Sequence, residues 1–308
     1  MKILLTGATG FLGSKILRRL LQEKYQVVVL KRSTSDNKRI VKYLSDCSVY
    51  DVDTQFIEEI FAAERPQVVI HCAAAYGRGD SNPSQVVDTN LMFGIKLLEA
   101  ASHHGCEWFV NTGSYSTKQI EENGRVEKKI YMADYTLSKQ QFICWGQEFA
   151  ALKRIHFITL NLEHIFGEDD DEGKFVHLVE RNCMQQQVME LSDGMQLRDY
   201  IYSENVVDAY LCVLAHLEEL KGFHVFEVGM GEPITLKEFV LLMKEVSSSP
   251  IDLRFGVRPR NSCEPECSVA DIKGLRDLGW QPYLSRREGI QRMFQEDRKE
   301  GRIICRFS

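Results

Sequence analysis

The sequence predicts an α/β fold: a doubly wound parallel sheet followed by a smaller C-terminal α/β domain. Three observations predict it. Short apolar runs alternate with amphipathic helical patterns through the first half of the chain. Three spaced glycines fall at the first strand-to-helix junction. After about residue 165 the alternation gives way to mixed helix and short-strand patterns.

The elements follow in order. Residues 2–6 form a short apolar strand, and after the glycine turn Ile16, Leu17, Leu20 and Leu21 line one face of a helix. Gln26–Leu30 is a strand of β-branched residues, and Val68–His71 is another. Asn90–Ser102 reads as a helix, Trp108–Asn111 as a strand, Tyr135–Ala150 as a helix and Phe157–Leu162 as a strand. The expected division is residues 1–165 and 166–308, with about 203–230 returning to the first core. A length of 308 residues suits one large or two intimately joined domains. The acidic run Glu168–Glu172 is expected to be a solvated loop, because it lacks the ordered ligand spacing of a calcium site. Lys299–Ser308 reads as a tail.

Composition excludes several classes. Hydrophobic residues at 44% and charged residues at 27% suit an ordinary soluble protein. A net charge of -6 argues against nucleic acid as a partner, since phosphate backbones need a basic face. Nine scattered cysteines suit a reducing, cytoplasmic setting better than a disulfide framework. Cys263 and Cys267 lack further ligands nearby in sequence, so no metal site is expected. No apolar run approaches the roughly 18 residues of a membrane span, so no membrane partner is expected. Met1–Leu5 opens like a signal peptide, but Thr6 and Gly7 interrupt it; a buried first strand is expected instead.

The chemistry begins at Thr6-Gly7-Ala8-Thr9-Gly10-Phe11-Leu12-Gly13. Glycines between the first strand and first helix let backbone N–H groups approach a pyrophosphate, and the helix N-terminus adds its positive end. Dinucleotide binding is therefore expected here, whereas Gly229-Met230-Gly231 lacks a third glycine and reads as a turn. An acid at the end of the second strand would favour NAD. This chain has Lys31-Arg32-Ser33 there, which suits the 2′-phosphate of NADP(H), with Arg32 as the principal contact. Tyr135 and Lys139 stand four apart at the start of a helix and share one face. A lysine ammonium beside a phenol favours the phenolate and tunes it for proton transfer. Ser114, at the end of the preceding strand, can hold a substrate oxygen, with Thr112 as the competing hydroxyl.

The glycine triplet, Cys72-Ala73-Ala74-Ala75, Asn90, Ser114 and the Tyr135/Lys139 pair resemble the extended short-chain dehydrogenase/reductases, from residue 1 to about 295. That resemblance implies a Rossmann domain and a catalytic set of Ser114, Tyr135 and Lys139. It implies cofactor contacts from Gly7, Thr9, Gly10, Phe11, Leu12, Gly13, Ala73, Ala74, Ala75, Asn90, Thr112, Tyr135, Lys139, Leu162 and Ile165, with Asp51 and Val52 by the adenine and Lys139 on the nicotinamide ribose. The second half carries Arg198-Asp199-Tyr200-Ile201-Tyr202, Phe226-Glu227-Val228-Gly229, Arg258-Pro259 and Leu278-Gly279-Trp280, like the nucleotide-sugar members. By that likeness Arg198 and Arg258 bind the nucleotide diphosphate, for which a guanidinium fork is apt.

Further segments resemble the subgroup that reduces CDP-4-keto-3,6-dideoxyhexoses with NADPH. They are Tyr76-Gly77-Arg78, Leu162–Gly167, Lys174-Phe175 and Cys267–Ile272. The likeness makes Tyr76, Arg78, Glu163, His164, Lys174 and Phe175 substrate contacts. Asn161 and His164 stand where most of the family carries Arg and Asn, and these departures coincide with the reductase subgroup. Sugar 4,6-dehydratases follow the catalytic hydroxyl with Asp-Glu; here Tyr115 and Ser116 follow Ser114, so dehydration lacks its acid and base. The expectation is an NADPH-dependent 4-keto reductase giving a CDP-3,6-dideoxy sugar of the paratose or abequose type. The rivals are an NAD-dependent nucleotide-sugar 4-epimerase and a non-catalytic dinucleotide-binding regulator. Leu91, Ile95, Leu98, Phe142 and Phe149 are expected to form either a four-helix homodimer interface or intramolecular core.

Overall fold

The computed structural model describes residues 1–77, 82–120, 130–185 and 188–299. The chain divides into two compact units, Met1–Asn161 with Tyr210–Phe226, and Leu162–Ala209 with Glu227–Ser308. The expected tail beyond Lys299 lies outside the described residues.

The first unit is built on β1 (Lys2–Thr6), α1 (Phe11–Gln22), β2 (Gln26–Lys31), β3 (Ser48–Asp51), α2 (Ile57–Glu64) and β4 (Val68–His71). It continues with α3 (Pro83–Val87), α4 (Phe93–His103), β5 (Trp108–Ser114), α5 (Ala133–Ala151) and β6 (His156–Leu162). The seven-stranded sheet has the order β11-β6-β5-β4-β1-β2-β3, where β11 is Phe223–Val228. β1 pairs in parallel with β2 on one side and β4 on the other, Leu4 facing Val28 and Val69. Helices cover both faces of such a sheet, which is why these strands are near-continuous apolar runs: Ile3, Leu4, Leu5, Val69 and Ile70 have no exposed surface. Strand order reverses at β1, so the crevice beyond the carboxyl ends of β1 and β4 is the place where such sheets bind ligands.

Leu98, Phe142 and Phe149 lie in the core of this unit, so they are not interface residues. Leu91 and Ile95 are partly buried against the same core. The outward face of α5 instead presents Leu137 and Trp145, and Leu152 follows at its C-cap, each at least 39% exposed.

The second unit carries β7 (His164–Phe166), α6 (Phe175–Gln185), β8 (Met189–Glu190), β9 (Leu197–Arg198), β10 (Tyr200–Tyr202) and the start of α7 (Ser203–Ala215). Beyond β11 come β12 (Ile234–Thr235), α8 (Leu236–Ser247), β13 (Leu253–Arg254), α9 (Lys273–Asp277) and α10 (Arg286–Lys299). Its strands pair two by two: β7 with β10 in parallel, β9 with β12 antiparallel, β8 with β13 in parallel. Thr235 and Glu238 form a capping box that starts α8. Buried Asp199 gathers the chain around it, accepting the Met230, Gly231 and Ala270 N–H groups at 2.8, 3.0 and 3.2 Å. The Gly229–Gly231 segment is thus a structural turn.

The acidic run is not a solvated loop. Glu168 and Asp170 are buried; Glu168 accepts the Tyr202 hydroxyl at 2.7 Å, and Asp170 pairs with Lys174 at 2.8 Å. Asp171 and Glu172 face solvent, and Asp169 is half-buried. Each buried acid has found a donor, which is what allows an acidic segment inside. Among the described residues, no helix is long and apolar enough to cross a membrane.

Candidate active site

The glycine turn is fixed by close packing. Gly7 has φ +71°, and a Cβ on it would stand 2.6 Å from both the Ala73 nitrogen and the Cys72 carbonyl carbon. A Cβ on Gly13 would overlap the Gly7 carbonyl oxygen. Gly10 differs: only the Gly7 oxygen lies within 4 Å of a Cβ built there, at 3.3 Å. Gly7 therefore packs the turn against the Cys72–Ala73 segment that follows β4, Gly13 packs the start of α1 against the turn itself, and Gly10 keeps its outer side clear. Gly10 caps α1 without a side-chain bond, and the first turn has no acid. An uncapped helix N-terminus at the reversal point of the sheet fits a pyrophosphate.

Asn90 braces the loop after β4. Its side chain accepts the Ala75 N–H at 2.7 Å and donates to the Ala75 carbonyl at 2.8 Å and the Ser138 hydroxyl at 3.0 Å. It sits in a π-helical turn, Asp88–Met92, between α3 and α4. Its amide thus orders Cys72–Ala75 and ties that loop to α5.

The end of β2 holds a finding the linear sequence hides. Arg32 is exposed. Parallel pairing sets Lys31 opposite Asp51, however, and this brings acids from β3 to the same place. Asp51 accepts the Ser33 hydroxyl at 2.6 Å, and Asp53 accepts the Ser33 N–H at 2.9 Å. The Ser33 hydroxyl, with the Asp53 N–H, holds the Asp51 carboxyl below its usual range. Arg39 also arrives unannounced: its guanidinium donates to the Thr9 carbonyl of the glycine turn at 3.4 Å. Only contacts distant in sequence reveal these two features.

Ser114, Tyr135 and Lys139 come together in the first unit, all buried. Ser114 ends β5; its oxygen accepts the Ser116 N–H at 3.2 Å and the Ser116 hydroxyl at 3.0 Å. Tyr135 stacks on Tyr76, ring centroids 5.0 Å apart. Burial, then the Tyr76 phenol, pushes the Tyr135 phenol well above its usual value, while a hydrogen bond from Ser114 opposes the rise. Lys139 donates to the Thr112 carbonyl at 2.9 Å, and its nitrogen stands 5.9 Å from the centre of the Tyr135 ring. Burial lowers Lys139 to about 8. The Thr112 hydroxyl meets the Tyr210 hydroxyl at 2.7 Å and Cys72 at 3.1 Å. Of the two hydroxyls weighed from the sequence, Thr112 is engaged with Tyr210 and Cys72, and Ser114 stands at Tyr135. Tyr210, from α7, was not legible as part of this network.

The expected substrate residues fall in two places. Tyr76 belongs to the first unit, and Arg78 lies outside the described residues. The rest are in the second unit. Buried Glu163 accepts the Ser268 hydroxyl at 2.6 Å and lies 3.4 Å from the His164 ring. His164 packs edge-on against Tyr200. Lys174 pairs with Asp170, and Phe175 opens α6. Arg198 is buried, donating to the Leu197 carbonyl at 2.8 Å and to Glu264 at 3.3 Å. Arg258 is exposed. Leu162, the last residue of β6, is buried, and Ile165 is half-buried in β7.

A doubly wound sheet with a glycine turn at its reversal point and a buried Ser-Tyr-Lys set defines the Rossmann class of dinucleotide folds. Within that class the chain belongs to the NAD dependent epimerase/dehydratase family, whose model matches residues 3–229. It is 28% identical to the CDP-abequose synthase of Salmonella typhimurium strain LT2, over 95% of this chain and 97% of that protein. It is 30% identical to the CDP-abequose synthase of Salmonella muenchen, over 95% and 96%. Its fold matches the crystal structure of a Thermotoga maritima UDP-glucose 4-epimerase with UDP-glucose, at a TM-score of 0.85 and 23% identity, covering 97% of this chain and 99% of that one.

Proposed function

We propose that the protein is an NADPH-dependent 4-keto reductase of a CDP-4-keto-3,6-dideoxyhexose, giving a CDP-3,6-dideoxy sugar of the paratose or abequose type. The observation that carries this reading is the buried Ser114-Tyr135-Lys139 set, with Tyr115 and Ser116 in place of a dehydratase acid pair. The likeness to two CDP-abequose synthases over nearly the whole chain supports it.

A bound nicotinamide supplies the hydride. The chain's own groups do the rest. Tyr135 gives its phenolic proton to the carbonyl oxygen, Ser114 orients that oxygen, and both hydroxyls stabilise the developing alkoxide. Lys139, anchored by the Thr112 carbonyl, places a positive charge near the phenol and eases loss of its proton. Gly7–Gly13, Ala73–Ala75, Leu162 and Ile165 hold the dinucleotide, Asp51 and Val52 its adenine, and Arg32 its 2′-phosphate. Tyr76, Arg78, Glu163, His164, Lys174 and Phe175 meet the sugar, and Arg198 and Arg258 the diphosphate. The working form is a cytoplasmic homodimer.

A second reading, an NAD-dependent 4-epimerase, is favoured by Asp51 and Asp53 gathered on Ser33, since carboxylates there suit a ribose hydroxyl. Identification of the dinucleotide that co-purifies separates the two. Tightly retained NAD, with interconversion of 4-epimers and no net consumption of nicotinamide, overturns the reductase. Turnover of keto-sugar nucleotides that consumes NADPH supports it.

A further inference from the structure

The second unit contains a cluster that the catalytic scheme does not use. His177 and Glu180 lie three apart on the first turns of α6, and Asp297 projects from α10. All three are buried, Glu180 and Asp297 with no exposed surface. One ligand-type atom from each lies within 4.8 Å of the other two. The Nδ1 of His177 stands 3.2 Å from Oε2 of Glu180 but is not aligned for a hydrogen bond, and neither Glu180 oxygen has a hydrogen-bond partner among the described residues. Asp297 is held in place from behind, its Oδ1 accepting the Asp169 N–H at 3.1 Å.

A dry carboxylate without donors is expensive. A second carboxylate beside it makes the cost larger. A small divalent cation removes the difficulty, because it supplies the missing positive charge at the point where the three groups converge. The spacing also fits. Bonds of about 2.0–2.2 Å in a tetrahedral site put neighbouring ligand atoms about 3.3–3.5 Å apart, close to the His177–Glu180 separation. Imidazole with carboxylates is a donor set that first-row divalent ions accept.

We propose that His177, Glu180 and Asp297 bind a divalent first-row transition-metal ion of the zinc type, as a structural site that ties α6 to the C-terminal helix α10. The sequence hid it because Glu180 and Asp297 stand 117 positions apart. Linear ligand spacing pointed only to Cys263 and Cys267, both of which are free thiols.

The test uses the full chain, stripped with a chelator and dialysed, with zinc ion alone as the probe. Calorimetric titration is expected to show one zinc per chain, and elemental analysis after desalting to retain it. Zinc at about 100 times its Kd is expected to raise Tm by roughly 4 °C. Glu180→Gln, nearly isosteric, is expected to weaken uptake at least about 100-fold and abolish the Tm shift, while Cys263→Ser changes neither. If Glu180→Gln does not fold, Asp297→Asn reads the same loss. Failure of the stripped wild-type chain to take up zinc, with an unmoved Tm, overturns the proposal. So does uptake that survives in both carboxyl variants, because the ion then lies elsewhere.

Discussion

At the scale of single residues, three side chains carry testable weight. Tyr135→Phe removes one hydroxyl and keeps the ring stacked on Tyr76. Turnover is expected to fall about 10²–10⁴-fold, the usual worth of general acid catalysis, with dinucleotide affinity nearly unchanged; steady-state kinetics and cofactor titration check both. Lys139 presents a conflict between function and stability. Its buried ammonium is lowered from 10.5 to about 8, which corresponds to on the order of 3 kcal/mol against folding at neutral pH. Between about pH 8 and 10.5 the unfolded chain binds more protons at this residue than the folded one, so stability from this group rises with pH across that window. Lys139→Met is therefore expected to stabilise the ligand-free protein at pH 7 by about 1–2 kcal/mol, after loss of the Thr112 hydrogen bond, and to abolish turnover. The gain should shrink as pH rises above 8, which denaturant titrations at pH 7 and 9.5 would show. In the proposed reading, Arg32 sets cofactor choice. Charge-assisted bonds contribute about 1.5–3 kcal/mol, so Arg32→Asp is expected to weaken NADPH binding roughly 10- to 150-fold while sparing NADH. Unchanged selectivity would remove Arg32 from the 2′-phosphate. The sequence made Arg32 visible but not its surroundings, since Asp51 and Asp53 reach Ser33 only through strand pairing.

At the scale of elements, periodicity and turn chemistry were legible. The runs at residues 2–6, 26–30, 68–71, 108–111 and 157–162 correspond to strands because parallel strands buried on both faces read as apolar runs. Ser48–Asp51 was not legible as a strand: it is a polar edge of four residues, none of them buried. The Asn90–Ser102 helix begins later than expected as an α-helix, at Phe93, since a π-helical turn carries Asn90. The acidic loop misled because composition reports charge, whereas Tyr202 and Lys174, which make burial of Glu168 and Asp170 possible, are matters of packing. Helix α5 meets the sheet through Gly146, where an added Cβ would overlap the Phe157 ring. Gly146→Ala is expected to cost about 1–3 kcal/mol, as overpacking usually does. A shift in denaturation midpoint without a change in slope would show it; no shift would mean that Phe157 relaxes freely.

At the scale of the whole molecule, the two remaining matters are assembly and reaction. Trp145 is 46% exposed on α5, about two turns from exposed Leu137, and exposed apolar residues on one helix suit a helix–helix dimer. Trp145→Glu is expected to convert a dimer to monomer at micromolar concentration by light scattering, and a monomeric wild-type chain would defeat the homodimer. Reduction of a sugar carbonyl is the central claim, and isotope transfer reads it directly. NADPH carrying deuterium at the reactive position of the nicotinamide is incubated with the protein and CDP-4-keto-3,6-dideoxyglucose, and the product is examined by NMR. The expected result is one NADPH consumed per product, with deuterium on the sugar C4 and the loss of this transfer in Tyr135→Phe. Product without deuterium at C4, or nucleotide-sugar epimers interconverting while NADPH stays intact, would contradict it.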